Sequence, residues 1–225
     1  MKVSVIIPTL NEARILEQTL RDLRRHEPHE VIVVDGGSRD DTRRIAGEFT
    51  PHVIRTESGR GHQMNAGARR ATGDLFLFLH ADSRVDPLSY RKMVSLMESG
   101  KVLGGAFSLA IDSDRRALRW ISTLATLRAR YLHLVYGDQG IFVRARVFRT
   151  LGGFSSLPIC EDLDFFNRLR RQGPIVVLRE KIFTSARRWR TEGVVYTTVR
   201  NILIAGLFLL GFPPQRLSKW YAVIR

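Results

Sequence analysis

A chain of 225 residues has room for one domain with a sizeable core. Its 44% hydrophobic and 26% charged residues exclude an extensively disordered polymer. The balance of 36 basic against 22 acidic residues gives a net charge of +14, a field that attracts nucleic acid, anionic lipid or a diphosphate-bearing small molecule. Cys160 is the single cysteine, which excludes an internal disulfide and fits a reducing compartment. The apolar run before Pro8 is too short for a signal peptide. A cytoplasmic location is expected, with a peripheral place on the inner face of the membrane left open.

In chain order, the first half alternates strands and helices. Val3–Ile7, Val31–Val34 and Leu75–Leu79 read as strands that are apolar on both faces, as central strands of a covered parallel sheet are. Leu16, Leu20 and Leu23 recur at helical spacing, and Asn11 is placed to cap that helix. A second helix is predicted to begin near Ser38, where Ser38 and Asp41 have capping-box spacing, and to bury Ile45 and Phe49. A third carries Met64, Ala68 and Ala71. This order implies an α/β fold with a doubly wound, mostly parallel sheet, whose ligands bind beyond the carboxyl ends of the strands. Thr9, Asn11, Asp35, Gly36, Ser38, His80 and Asp82 stand at those ends.

The second half is less regular. Ala106–Ile111 reads as a strand, and Leu118, Ile121, Leu124 and Leu127 outline a long helix. Gly152-Gly153-Phe154 marks a turn, and Glu161–Gln172 reads as a short helix. Ile202–Phe212 is an apolar run of eleven residues ending at Pro213. As a helix it reaches about 16 Å, roughly half a bilayer core. A buried helix, a homodimer contact and a segment in the membrane interface all stay open for it. In the last case Arg187, Arg188, Arg190, Arg200, Arg216 and Lys219 would face anionic headgroups, with Trp220 and Tyr221 at the boundary. The chain divides into a main domain, 1–190, and a C-terminal helical segment, 191–225.

Several of these residues suit chemistry. Asp35 can accept hydrogen bonds from a nucleobase or ribose, or can simply hold a turn. Asp82 suits a divalent cation that carries a diphosphate, and His80 suits a phosphate more than Mg²⁺. Glu161, Asp162 and Asp164 crowd a helix start, whose dipole keeps a carboxylate ionised as a general base requires. Cys160 beside them is expected to be a packing residue. Arg187 and Arg188 can neutralise a diphosphate through forked donors.

No one motif is specific, but their order is. SVIIPTLNE, VIVVDGGSRDDT, GRGHQMNAGARRATGD, LFLFLHADS and GGF followed by EDLDFFNRLRRQG resemble family 2 glycosyltransferases, from Val3 to about Trp189. The chain is most similar to a compact bacterial group with HAD at the metal position and RRW near the end. The resemblance implies a GT-A fold, a nucleotide-binding half with an acceptor-side half, and a nucleoside-diphosphate-sugar donor. It implies that Pro8, Thr9, Asn11, Glu12 and Ser38 line the nucleotide pocket and that Asp35 reads the base. Arg60, Asn65, His80 and Ala81 would approach the nucleotide-sugar, with Arg187 and Arg188 on its diphosphate. Asp82 would bind Mn²⁺ or Mg²⁺, although His80 stands where the family's first metal aspartate usually is. Asp162 would be the base of an inverting transfer, with Glu161 the other candidate. Ser185 replaces the glutamine of the polymerising relatives' QxxRW element, so the expected transfer is non-processive, to an acceptor that is lipid-linked if the enzyme works at a membrane.

Three rivals fit less well. A dinucleotide oxidoreductase needs GxGxxG after its first strand, where this chain has Pro8-Thr9-Leu10-Asn11-Glu12. A nucleotidyltransferase needs a glycine-rich basic loop at the same place. A nucleic-acid-binding protein would explain the charge, but no recognition motif accompanies it, so nucleic acid is not an expected partner.

Overall fold

The computed structural model describes residues 1–221. Its elements in chain order are β1 (Val3–Thr9), α1 (Ala13–Arg24), β2 (Glu30–Asp35), α2 (Thr42–Phe49), β3 (Val53–Arg55), α3 (Arg60–Arg70), β4 (Leu75–Phe78), β5 (Ser83–Val85) and α4 (Pro87–Glu98). There follow β6 (Gly104–Asp112), α5 (Arg116–Leu132), β7 (Ile141–Arg144), α6 (Ala145–Thr150), α7 (Glu161–Gln172) and β8 (Ile175–Ser185). The chain then turns through α8 (Arg187–Glu192), α9 (Val194–Leu209) and α10 (Pro214–Leu217).

One sheet with the order β3-β2-β1-β4-β7-β6-β8-β5 runs through the molecule. Its first half is parallel: β1 pairs with β2 and β4, and β2 with β3. β7 enters antiparallel between β4 and β6, and β6 then pairs parallel with β8. Every residue of β1 is buried, and alternate side chains feed two cores. Val3, Val5 and Ile7 pack with Leu16, Leu20 and Leu23 of α1 on one face. Ile6 packs with Met64, Ala66 and Ala68 of α3 on the other. Continuous hydrophobicity in the strands is therefore satisfied by helices on both sides.

Two local expectations are corrected, and the long helix expected around Leu118–Leu127 forms as α5. Asn11 does not cap α1: its φ is +54°, its Oδ1 accepts from the Arg39 N–H at 2.8 Å, and its own N–H donates to Ser38 Oγ at 2.8 Å. Ser38 is thereby used in tying two loops together, and α2 begins four residues later at Thr42. α5 buries Leu118 but exposes Leu124 and Leu127.

The C-terminal segment packs on the start of α7, one of the places left open for it. The expected division at residue 190 falls inside α8. Ile204, Ala205 and Leu217 pack with Ile159, Cys160 and Leu163 at the start of α7, and Leu207 and Phe208 lean on the same cluster. Arg200 is buried and bonded twice to Glu192, so it cannot serve a headgroup. Tyr221 likewise turns inward, its ring under the guanidinium groups of Arg60, Arg188 and Arg200. Among the described residues no helix is long and apolar enough to cross a membrane.

α3 approaches the sheet closely because position 67 lacks a side chain. A Cβ there would lie 2.5 Å from Ile6 Cγ2 and 3.0 Å from Val34 Cγ2. Gly67→Ala is expected to lower stability by about 1–3 kcal/mol through overpacking, even though alanine favours a helix by ~1 kcal/mol. Urea unfolding measures this, and an unchanged or raised midpoint would contradict the packing.

Candidate active site

A cavity of about 450 Å³ opens beyond the carboxyl ends of β1 and β4 and beside the start of α7. Pro8, Thr9 and Glu12 line it from β1 and the following loop, His80, Ala81 and Asp82 from the segment after β4, and Arg60 from the start of α3. Asp162 of α7 and Arg187 and Arg188 of α8 complete this set of ten residues singled out from the sequence.

Five other predicted residues lie outside the lining. Asp35 has a fully buried side chain whose carboxylate accepts from the Gly37 N–H at 3.1 Å and from the Ser38 N–H at 3.0 Å, so it holds the turn after β2. Asn11 and Ser38 brace that turn from the other side. Asn65 clamps Phe154: its Nδ2 donates to the Phe154 carbonyl at 2.8 Å and its Oδ1 accepts from the Phe154 N–H at 2.9 Å. Glu161 is buried and paired with Arg60, Nε to Oε1 at 3.1 Å. Each of these supports the cavity from behind, because its polar groups are consumed by backbone or by a salt bridge.

The polar groups inside are organised in pairs. Arg187 meets Glu12 in a two-pronged contact with both N···O distances 3.0 Å, and its Nη2 is 3.8 Å from Asp82 Oδ2. The Glu12 hydrogen bond holds Arg187 firmly cationic. Burial pushes the Asp82 carboxyl above its ordinary range, against the pull of Arg187. Arg60 is kept cationic chiefly by the Glu161 carboxylate. His80 is driven down to about 3, first by burial and then by the charges of Arg60 and Arg188, so its imidazole is neutral.

Asp162 is held through backbone. Its Oδ2 accepts from the Gly137 N–H at 2.6 Å and its Oδ1 from the Leu163 N–H at 2.7 Å. Only a glycine fits at 137, since a Cβ would lie 2.8 Å from His80 Nε2 and 3.3 Å from Asp162 Oδ2. Cys160 takes a left-handed backbone at the head of α7, and burial pushes its thiol up to about 12, which leaves it a packing residue.

Sequence reasoning missed Gln63, Tyr136, Gly137, Asp138 and Tyr221, all of which line the cavity. The Gln63 amide donates to the carbonyls of Thr9 and Val34, both at 2.8 Å, locking the ends of β1 and β2 together. Asp138 Oδ1 is buried without a hydrogen-bond partner among the described residues, and so is Trp189 Nε1, also in the lining. Burial raises the Asp138 carboxyl to about 6; the charges of Asp162 and Asp82 push the same way, and Arg128 opposes them. An unpaired acceptor and an unpaired donor, both shielded within residues that line one cavity, cost the fold stability. The one available signal was Gly137-Asp138 just before a buried strand, whereas Asp35 and Asp82 had stood out by following one.

The donor set fits a cation that arrives with phosphate. Among the described residues no three His, Cys, Asp or Glu side chains form a closed metal site. Asp82 and Asp138 nevertheless offer two carboxylates in one cavity, and Mg²⁺-like ions use one or two carboxylates with substrate phosphates supplying the rest.

Comparison with known proteins follows this geometry. Residues 4–176 match the family described as Glycosyl transferase family 2. The undecaprenyl-phosphate 4-deoxy-4-formamido-L-arabinose transferase of Pseudomonas savastanoi pv. phaseolicola is 31% identical over 158 residues, covering 64% of this chain and 46% of that protein. The chain spans less than half the length of the curated relatives it matches. Among solved structures it is similar to S. aureus TarS 1-349, with a TM-score of 0.68 at 18% identity over 90% of this chain and 64% of that one. It is also similar to the mannosyltransferase PcManGT of Pyrobaculum calidifontis, solved with GDP-Man and Mn²⁺, with a TM-score of 0.64 at 20% identity over 81% and 56% of the two chains. These likenesses carry the fold, and it is the GT-A arrangement expected from the motifs. With nearly four-fifths of its length matched, the chain belongs to glycosyl transferase family 2.

Proposed function

We propose that this chain transfers a sugar from a nucleoside-diphosphate-sugar to an acceptor hydroxyl, non-processively and with inversion. The observation that carries the reading is one cavity holding a backbone-fixed carboxylate, Asp162, together with the cations Arg60, Arg187 and Arg188. A displacement at the anomeric carbon needs both. A base must take the acceptor's proton, and positive charge must receive the departing diphosphate.

In this mechanism Asp162 accepts the proton from the acceptor hydroxyl as that oxygen attacks the anomeric carbon. The bond to the diphosphate breaks on the opposite face, and its electrons leave on the phosphate oxygen. Arg187 and Arg188 offset that charge with fixed N–H donors. Asp82, with Asp138 near it, would hold the Mn²⁺ or Mg²⁺, which when bound supplies further charge neutralisation on the diphosphate. His80, neutral under these conditions, donates or accepts a hydrogen bond without adding charge. Asp35 acts on the nucleotide through the turn it holds. The relative named for undecaprenyl-phosphate favours an acceptor carried on lipid here as well.

Asp162→Asn is expected to keep donor binding and lose at least about a hundredfold in transfer rate, the low end for removing a general base. Steady-state transfer with titrated donor checks this. If Asp138→Asn, or Glu161→Gln, is the inactive variant while Asp162→Asn works, the base is misassigned.

Asp138 also gives a pH signature. Its folded carboxyl, at about 6 against an ordinary 3.8, keeps a proton that the unfolded chain has released. Its stabilising contribution is complete below pH 3.8 and is lost as pH rises through 6. Asp138→Asn should therefore raise the melting temperature by several degrees at pH 8, with the gain vanishing near pH 4. Melting curves across that range test it; a lower melting temperature at pH 8 would mean that the carboxylate is a structural partner.

A further inference from the structure

Two helices expose their large apolar residues and bury their small or polar ones. α5 buries Leu118, Ser122, Ala125 and Ala129. Its opposite face carries Trp120, Leu124, Leu127 and Tyr131, with Trp120 69% and Tyr131 77% exposed. α9 buries Thr197, Arg200, Ile204 and Ala205, while Val195, Val199, Ile202 and Leu203 face out, Val195 at 76%. A helix at the surface of a globular protein normally does the reverse. The two helices touch each other.

The charge around this face is predominantly positive, although Asp112 and Asp114 are exposed just before α5. Arg115, Arg116 and Arg119 are exposed at one end of α5, and Arg216 and Lys219 follow α9. No Asp or Glu occurs between positions 115 and 136 or from 193 to the end of the chain. Tyr196 and Trp220 add exposed rings of the kind that settle at lipid headgroups.

We infer that the α5–α9 face docks on an anionic lipid bilayer, lying in its interface. Apolar stripes with a predominantly basic rim match the chemistry of such a surface, where acyl chains lie below anionic headgroups. A second copy of the chain fits poorly. An isologous contact would set this predominantly basic face against itself, with few acidic residues to pair its arginines. The same helix borders the cavity, because Asn201, Ile204 and Ala205 on the inner side of α9 line that site. If the chain is the transferase proposed above, its acceptor is then an amphiphile drawn from the bilayer beside the cavity.

Flotation of the purified full chain with phosphatidylcholine vesicles, with and without phosphatidylglycerol, tests the inference. The chain should rise with the anionic vesicles at low salt and be released by high salt. Leu124→Gln with Leu203→Gln should weaken partitioning by at least about tenfold, the effect of losing one buried leucine. Both leucines are exposed, so folding should survive. No flotation of the wild-type chain overturns the inference. So does a dimer on gel filtration that the double variant turns into a monomer, which would give the face to a second copy. Nucleotide-sugar binding by the same preparation reports on the cavity separately. Flotation without nucleotide binding sinks only the transferase reading, and nucleotide binding without flotation sinks only the docking.

Discussion

The contact between Glu12 and Arg187 joins residues 175 positions apart and spans the open side of the sheet. Glu12 follows β1, in the parallel half, and Arg187 follows β8, beyond the antiparallel insertion of β7. The sheet already joins these two walls, and the ion pair adds a tie between their side chains across the cavity. A forked guanidinium meeting a carboxylate with both distances at 3.0 Å fixes orientation as well as distance. Asp82 stands at the edge of the same pair, so a diphosphate or a cation entering here would act on a pre-set arrangement.

The cavity gathers more buried charge than a fold needs. Glu161 with Arg60 and Glu12 with Arg187 are compensated pairs, whereas Asp138 has an oxygen with no partner, and His80 is neutral because burial and nearby arginines forbid a further positive charge. Incomplete compensation of this kind costs stability and is tolerated where a ligand completes it. Asp162 is the exception. Its two backbone donors, from Gly137 and Leu163, fix a carboxylate at one place, as a base has to be fixed.

Much of this was legible in the sequence for a physical reason. Parallel strands buried on both faces are continuously apolar, so β1, β2 and β4 announced themselves, and the polar residues that end them had to face a crevice. Side-chain direction was not legible. Asp35 and Asp82 follow buried strands alike, yet one turns back to the amides of its own loop and the other lines the cavity. Asn65 lies in a motif that approaches the site and is spent on the Phe154 backbone. Asp138 escaped notice because its importance comes from long-range burial beneath Arg128 and beside Asp162, which no local pattern encodes. The apolar run after Asn201 was visible, but which of its faces is covered depends on α5 and α7, far away in sequence.

The central claim is that the cavity receives a nucleoside-diphosphate-sugar with a cation at Asp82. Calorimetric titration of the chain with a panel of nucleoside-diphosphate-sugars, with and without Mn²⁺, tests it most directly. The account predicts saturable binding of at least one donor, strengthened by Mn²⁺, and loss of that strengthening in Asp82→Asn. Absence of binding to every donor, or a Mn²⁺ effect that Asp82→Asn leaves intact, would contradict it.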